Sequence, residues 1–318
     1  MKDLRSRVKN VALAGATGML GSHILAAFSQ NKRYNLTLLV RNNSSIGSFP
    51  LHITVIEVDY DSHESLVSAL RGQDVLVSAL GKAALHCQGR LVEAAVAANV
   101  RRIIPSEFGA NLRNPKTREF PTYALKIALE DQLARSCRLS NSSYTLIYTN
   151  CLLDWAIATH GALLVDPSKR IVKLYDGGNN KFSTTSLATV GRTVVAVVDH
   201  FEETANRVIC VQDAAISQVE LLELVKEVTA DDGGKEWGVL HIDTGDAEAQ
   251  ALAVQKQGAL TSEVFYGFAV RAAFAPGYGG HFAHCDNELL GIKGMGRDEI
   301  KRLIQHVFSE EDQQDLCH

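Results

Sequence analysis

Short, nearly continuous runs of aliphatic and β-branched residues alternate along the first half of the chain with longer segments whose apolar positions recur every three or four residues. The runs are Val8–Ala14, Leu36–Val40, His52–Val58, Asp74–Leu80, Arg102–Pro105 and Tyr144–Tyr148. Their lack of strict alternation predicts strands covered on both faces, as in a parallel sheet. Between them, Met19–Gln30, His63–Arg71, Leu85–Ala98 and Tyr123–Cys137 have the length and spacing of helices. Leu91, Ala94, Ala95 and Ala98 put small apolar groups on one helical face, suited to close packing on a sheet. Strand and helix in this alternation predict an α/β protein built on a doubly wound, mainly parallel sheet with right-handed crossovers.

The pattern loosens after Asn150. Residues 166–185 are rich in turn formers, with Asp176-Gly177-Gly178-Asn179-Asn180 the strongest turn signal in the chain. Ser186–His200 reads as an apolar-faced helix, Arg207–Val211 as a short strand that rejoins the sheet, and Gln218–Thr229 as a helix with Leu221, Leu222, Val225 and Val228 inward. Asp231-Asp232-Gly233-Gly234 ends that helix; a glycine- and aromatic-rich stretch, Phe265–His284, and a terminal helix at Asp298–Phe308 follow. The expected division is a dinucleotide-binding domain over 1–150 that 186–215 rejoins, and a smaller α+β substrate domain from 151–185 and 216–318.

At 318 residues, the chain has room for about two domains. Hydrophobic residues make up 46% and charged ones 21%, which argues against disorder. With 32 basic and 36 acidic residues and no basic block, binding to nucleic acid through phosphates is disfavoured. Six scattered cysteines without a C-x-x-C pair read as reduced thiols. No apolar run is long enough to span a bilayer. MKDLRSRVKN leads directly into VALAG without a secretory apolar stretch, and the penultimate Cys317 fits no lipidation signal, so a cytoplasmic protein is expected.

The strongest chemical signal is Gly15-Ala16-Thr17-Gly18-Met19-Leu20-Gly21, which follows the first strand and opens the first helix. In such a loop the first glycine permits a tight turn, the second lets backbone amides approach a pyrophosphate, and the third lets helix and strand pack closely. The helix N-terminus adds partial positive charge at the same place. Alone, the spacing also suits an ordinary strand-to-helix turn; strand before and helix after are the context that makes it a dinucleotide fingerprint. Twenty residues beyond Gly21, where an NAD-binding protein carries an acid, stands Arg41, followed by Asn42, Asn43, Ser44 and Ser45. A guanidinium clamps a 2′-phosphate that a carboxylate would repel, so NADPH/NADP+ is the expected cofactor, although an arginine at a strand end is also a common surface residue. Asp59, ending the third strand, suits either the adenine edge or a cap on the next helix.

Arg102–Gly109 (RIIPSEFG), the GATGMLG loop with Arg41, Tyr144–Cys151 (YTLIYTNC) and YDGGNNKFSTTSLATVGR together resemble the isoflavone reductase-like, NmrA-like branch of the atypical short-chain dehydrogenases, in its fungal form. The resemblance runs from about residue 8 to residue 230. It implies a Rossmann domain that binds NADPH, a smaller substrate domain, and reduction of a small aromatic or polyketide-type secondary metabolite. It also implies that Lys126, on the helix after PSEFG, is the catalytic lysine. Asn150 and Cys151 match the pair after the sixth strand near the nicotinamide, which makes Asn150 an expected cofactor contact. The expected cofactor-binding set is therefore Gly15, Thr17, Gly18, Met19, Leu20, Gly21, Arg41, Lys126 and Asn150. Leu152-Leu153-Asp154-Trp155 departs from the phenylalanine-containing step of the plant enzymes, which leaves the substrate open. Tyr123 and Lys126 are three apart instead of the four of ordinary short-chain dehydrogenases, so the proton-donor role is not extended to Tyr123.

Lys126 also stands four residues before Glu130, the spacing of a plain surface ion pair. His281, His284, Cys285 and Asp286 have ligand-type side chains, but no second cluster completes a zinc site, and no metal is expected. They are expected at the mouth of the substrate cleft, with Phe265, Tyr266, Phe268, Phe274, Tyr278 and Phe282 as apolar walls or as plain core. Glu107 is expected to hold its loop through backbone amides. Cys151 has no base partner, and no G-x-S-x-G elbow exists, which disfavours acyl transfer. Two alternatives share the scaffold: a non-catalytic NADP(H)-sensing regulator and a redox-neutral isomerase. A small aromatic metabolite is the expected partner, with no nucleic acid and no membrane, for a monomer or homodimer.

Overall fold

The computed structural model describes residues 8–41, 49–50, 52–158, 163–167, 169–230, 236–258 and 261–309. The expectations for Asn42–Ser45, Asp231–Gly234, Cys317 and most of MKDLRSRVKN lie outside the described residues. In chain order the elements begin β1 (Asn10–Ala14), α1 (Met19–Ser29), β2 (Asn35–Arg41), β3 (Thr54–Val58), α2 (His63–Leu70), β4 (Val75–Ser78), α3 (Gln88–Ala97) and β5 (Arg102–Ile104). They continue α4 (Pro115–Arg118), α5 (Ala124–Arg138), β6 (Ser143–Tyr148), β7 (Cys151–Leu152), α6 (Leu153–Ala158), β8 (Val165–Asp166), β9 (Ile171–Tyr175) and β10 (Lys181–Thr185). The last are α7 (Leu187–Asp199), β11 (Arg207–Cys210), β12 (Ala214–Ser217), α8 (Gln218–Val228), β13 (Gly238–Ile242), α9 (Thr244–Lys256), α10 (Ser262–Phe274) and α11 (Arg297–Phe308).

Seven strands form one sheet in the order β11-β6-β5-β4-β1-β2-β3, with the pairs from β6 to β3 parallel. The fold is therefore the doubly wound α/β architecture the hydrophobic pattern predicts. Val11–Ala14, Leu38 and Val75–Val77 are wholly buried because both sheet faces are covered, which is why these strands read as continuous apolar runs. The strand order reverses between β1 and β4, and in such sheets the crevice beyond the strand ends at that point receives ligands.

The chain divides into two compact units: 1–107 with 125–147 and 190–209, and 108–124 with 148–189 and 210–318. Residues 108–124 thus cluster with the second unit, although they fall inside the 1–150 span. In the first unit Arg102 is completely buried at the start of β5. Its guanidinium donates to Ser143 Oγ at 2.8 Å, Thr145 Oγ1 at 3.0 Å, Thr204 Oγ1 at 2.9 Å and the Phe201 carbonyl at 2.5 Å. Burial lowers its pKa to about 10, which leaves it charged at neutral pH.

The second unit carries two three-stranded sheets, β12-β10-β7 and β13-β9-β8, around a core that includes Ile157, Leu164, Phe182, Leu221, Phe274 and Ile304. The Asp176–Gly178 turn, all at positive φ, joins β9 of one sheet to β10 of the other. The turn-rich reading of 166–185 misses both strands, β10 because Ser183, Thr184 and Thr185 are polar yet fully buried. Their hydroxyls are bonded internally, for instance Thr185 Oγ1 to the Thr149 carbonyl at 2.9 Å. The stretch expected as glycine- and aromatic-rich from Phe265 is helical to Phe274, as α10, and α9 precedes it. These two pack almost backbone to backbone: a Cβ on Gly267 would lie 2.7 Å from the Ala247 carbonyl and from Ala251 Cβ. A contact made by glycine and alanine leaves no large apolar stripe to read.

Candidate cofactor and active site

The loop after β1 is held by steric necessity at two of its three glycines. Gly15 has φ 82°, and a Cβ there would lie 2.6 Å from the Ala79 carbonyl oxygen. A Cβ on Gly21 would lie 1.9 Å from the Gly15 carbonyl oxygen, so α1 could not seat against the loop. Gly18 differs. Its backbone is extended (φ −77°), and its nearest neighbour would be the Gly15 oxygen at 3.4 Å, an ordinary contact. Packing accounts for Gly15 and Gly21, whereas no close contact within the chain requires a glycine at Gly18. Gly18 is also the N-cap of α1, with no side chain capping it and no acid in the first turn. The helix end is left polarised toward solvent, the arrangement that accepts an anion.

A cleft of about 630 Å³ opens there. Gly15, Thr17 and Gly18 form one wall, the end of β2 to the exposed Arg41 another, and Asp59–Asp61 and Ala79–Cys87 complete it. Met19, Leu20 and Gly21 form the first turn of α1 behind this wall. The residues after β4, including Lys82, His86 and Cys87 on a short 3₁₀ turn, were not singled out from the sequence. Their signal was topological: β4 is the neighbour of β1 across the point of reversal. Arg90 braces this side, donating to the Tyr60 carbonyl at 3.0 Å and to Asp61 at 2.7 Å. The cap on α2 is Ser62, not Asp59; the Asp59 carboxylate accepts from the Asp61 amide at 2.8 Å and lines the cleft.

Lys126 and Asn150 do not line this cleft. Lys126 is the third residue of α5, and its ammonium donates to the carbonyl of Glu107, with the Glu107 carboxylate 3.8 Å away. Glu107 is 2% exposed. Its carboxylate is thus set against a lysine. Tyr123 ends a separate 3₁₀ turn, Pro121–Tyr123, before α5 begins.

The sequence profile of the family described as NAD(P)H-binding matches residues 15–201, more than half of the chain. The chain belongs to the NAD(P)H-binding family. Among its relatives, the oxidoreductase poxI of Penicillium oxalicum is 32% identical over 299 residues, 90% of this chain and 91% of the relative. The isoflavone reductase homolog IRL of Zea mays is 28% identical over 240 residues, 71% of this chain and 76% of that one. Among solved structures, AtPrR2 with NADP+ and (+)pinoresinol superposes with a TM-score of 0.75 at 20% identity, covering 94% of this chain and 99% of that one. The binary complex of leucoanthocyanidin reductase with NADPH from Vitis vinifera gives 0.67 at 19% identity, covering 86% and 89%. The chain is an NAD(P)H-binding oxidoreductase of the isoflavone reductase-like kind, and the glycine cradle, free helix end and cleft described above fit such a cofactor.

Within this family member, Asn150 has a structural task in the second unit. It adopts φ 50° and is buried, and its amide nitrogen donates to the Ser183 carbonyl at 2.9 Å and the Gly280 carbonyl at 2.7 Å. Burial, with Asp154 beside it, pushes the Cys151 thiol up to about 12, so it is no nucleophile at neutral pH. Asp154 is itself buried and raised to about 6 by desolvation, partly offset by amides of Leu187 and Trp155, with Asp213 adding to the rise. Phe268, Phe274 and Phe282 are core residues, not cleft walls; Phe274 stacks on Tyr175 at 5.1 Å. His281, His284 and Cys285 are exposed, and among the described residues no group of three or more His, Cys, Asp or Glu side chains can hold a metal ion. Among the described residues, no helix is long and apolar enough to cross a membrane.

Proposed function

We propose that this chain is an NADPH-dependent reductase of a small aromatic or polyketide-type secondary metabolite, with Lys126 as the proton source. The observation that carries the cofactor half of this reading is Gly18, small where its own fold does not require it. The amides of the Gly15–Gly21 turn would hold the pyrophosphate, and Arg41, on the facing wall of the cleft, the 2′-phosphate. When bound, NADPH supplies a hydride for the substrate carbon. Lys126 holds a proton for the substrate oxygen; its ammonium is fixed by the Glu107 carbonyl, so the donor is oriented before any ligand arrives. The substrate class is supported by relatives named for aromatic chemistry, such as the phenylcoumaran benzylic ether reductase TP7 of Nicotiana tabacum, 26% identical over 200 residues.

The test is a panel of phenolic and polyketide-type ketones, enones and benzylic ethers, with consumption of NADPH followed by its absorbance. A reductase consumes NADPH in proportion to product. A redox-neutral isomerase converts a panel member without net consumption, and a regulator binds NADP+ and converts none. Lys126→Ala should lower turnover by about 10²–10⁴-fold, the usual contribution of a positioned proton donor. Full activity in that variant would remove the lysine from the chemistry.

A further inference from the structure

The carboxylate of Glu107 lies 3.8 Å from Lys126 Nζ, inside a loop that is itself fixed from two sides. Ser106 N–H donates to the Gln88 side-chain oxygen at 2.8 Å, and Ser106 Oγ donates to the Leu80 carbonyl at 2.9 Å. The Glu107 amide closes a tight turn onto the Pro105 carbonyl at 2.9 Å. The loop is thus tied to the end of β4 and to the first residue of α3, and Glu107 has little freedom to move. Its side chain is 1% exposed and that of Lys126 is 19% exposed. A carboxylate is rarely buried to this degree without a cationic partner, because desolvating it costs several kcal/mol. A cationic partner here is the lysine to which the proposed chemistry gives a proton-holding role.

We propose that Glu107 is a positioning residue for Lys126: its carboxylate holds the ammonium in place and its carbonyl aims it, so that the side chain is presented in one direction. The proposal rests on the reading of Lys126 given above, yet the pairing can be measured without any substrate. A purely structural ion pair between loop and helix would stabilise the fold and leave both the reactivity of the amine and the kinetic constants unmoved.

The experiment has two arms, each using the full-length protein and the variants Glu107→Gln and Glu107→Asp. In the first, brief exposure to limiting acetic anhydride near neutral pH is followed by peptide mass mapping, with other lysines of the same protein as internal references. Releasing the ammonium from the carboxylate that holds it should raise Lys126 labelling about tenfold in Glu107→Gln. Glu107→Asp, which keeps the charge, should label near the wild-type rate. Equal labelling in all three proteins overturns the proposal. In the second arm, turnover is measured with a substrate from the panel. Glu107→Gln should lower kcat at least tenfold with the KM for NADPH unchanged, and Glu107→Asp should recover part of the loss. If Glu107→Gln keeps full kcat while Lys126→Ala is impaired, the positioning role is wrong and the lysine reading stands. If Lys126→Ala also keeps full kcat, the lysine reading has failed and the positioning role fails with it, whatever the labelling shows.

Discussion

Substituting alanine at two glycines three residues apart, Gly18 and Gly21, separates a glycine kept for a ligand from one kept for the fold. At Gly21 the new methyl would lie 1.9 Å from the Gly15 oxygen, against about 3.4 Å for a normal contact, so α1 must retreat by about 1.5 Å from backbone that cannot yield. Overpacking of this kind costs about 1–3 kcal/mol or more, and the variant should show a clearly lowered urea midpoint. At Gly18 the methyl meets one oxygen at 3.4 Å with φ −77°, which alanine adopts freely. Its stability should stay within about 1 kcal/mol of wild type, since the loss of a favoured N-cap is offset by a stiffer unfolded chain. The same methyl would stand where an anion approaches the helix end. Losing one or two charge-assisted hydrogen bonds at about 1.5–3 kcal/mol each weakens NADP+ binding by about 10–10⁴-fold. Isothermal titration calorimetry reads the affinity, and denaturant unfolding reads the fold. Wild-type affinity in Gly18→Ala, or a loss of stability there equal to that of Gly21→Ala, would refute the reasoning.

Arg41→Asp should weaken NADPH binding by at least tenfold while leaving NADH binding nearly unchanged, because a carboxylate repels the 2′-phosphate that a guanidinium clamps; calorimetry with both nucleotides checks this, and equal losses would contradict it. Asp154 titrates in the fold at about 6, above its unfolded value of about 3.9, so its contribution to stability is complete below about pH 4 and is lost as pH rises through about 6. The loss is of the order of 3 kcal/mol, and in urea unfolding from pH 4 to 7 the D154N variant should gain on wild type by that order as pH rises; a constant difference would show that Asp154 is not the cause. Arg102→Met should lower unfolding free energy by about 3–5 kcal/mol, because the hydroxyls of Thr145 and Thr204 and the carbonyl of Phe201 lose a buried charged partner; an unchanged denaturation midpoint would count against it.

Most of the first unit was legible in the sequence because its central strands are buried on both faces and advertise it in continuous apolar runs. The helix starting at Met19 and the strand ending at Arg41 fall where the pattern puts them. The second unit was harder to read for physical reasons that individual residues make plain. Ser183–Thr185 form a wholly buried strand stabilised through hydroxyl groups, a solution no hydropathy pattern signals. Gly267 reads as a helix breaker, yet it is what lets α10 touch α9. The site was legible in part. The glycine loop and Arg41 line one cleft, as their spacing suggested, but spacing says nothing of Lys82 or Cys87, which share the cleft only through sheet order. Glu107 and Lys126 are nineteen residues apart, and only the fold brings a buried acid to that lysine.

The buried guanidinium of Arg102 has a consequence for how the molecule is made. Its partners are Ser143 and Thr145 at the start of β6 and Phe201 and Thr204 just after α7, so the sheet reaches forward across some sixty residues that belong to the other unit. A ribosome delivers the chain from the amino end at about 5–20 residues per second. When β5 emerges, Thr204 has yet to be synthesised, and a growing polypeptide released before that point carries an unquenched cation in the middle of its own sheet. Neither unit can be completed as an independent nascent domain; the final lock on the first closes only after 108–124 and 148–189 of the second have left the tunnel.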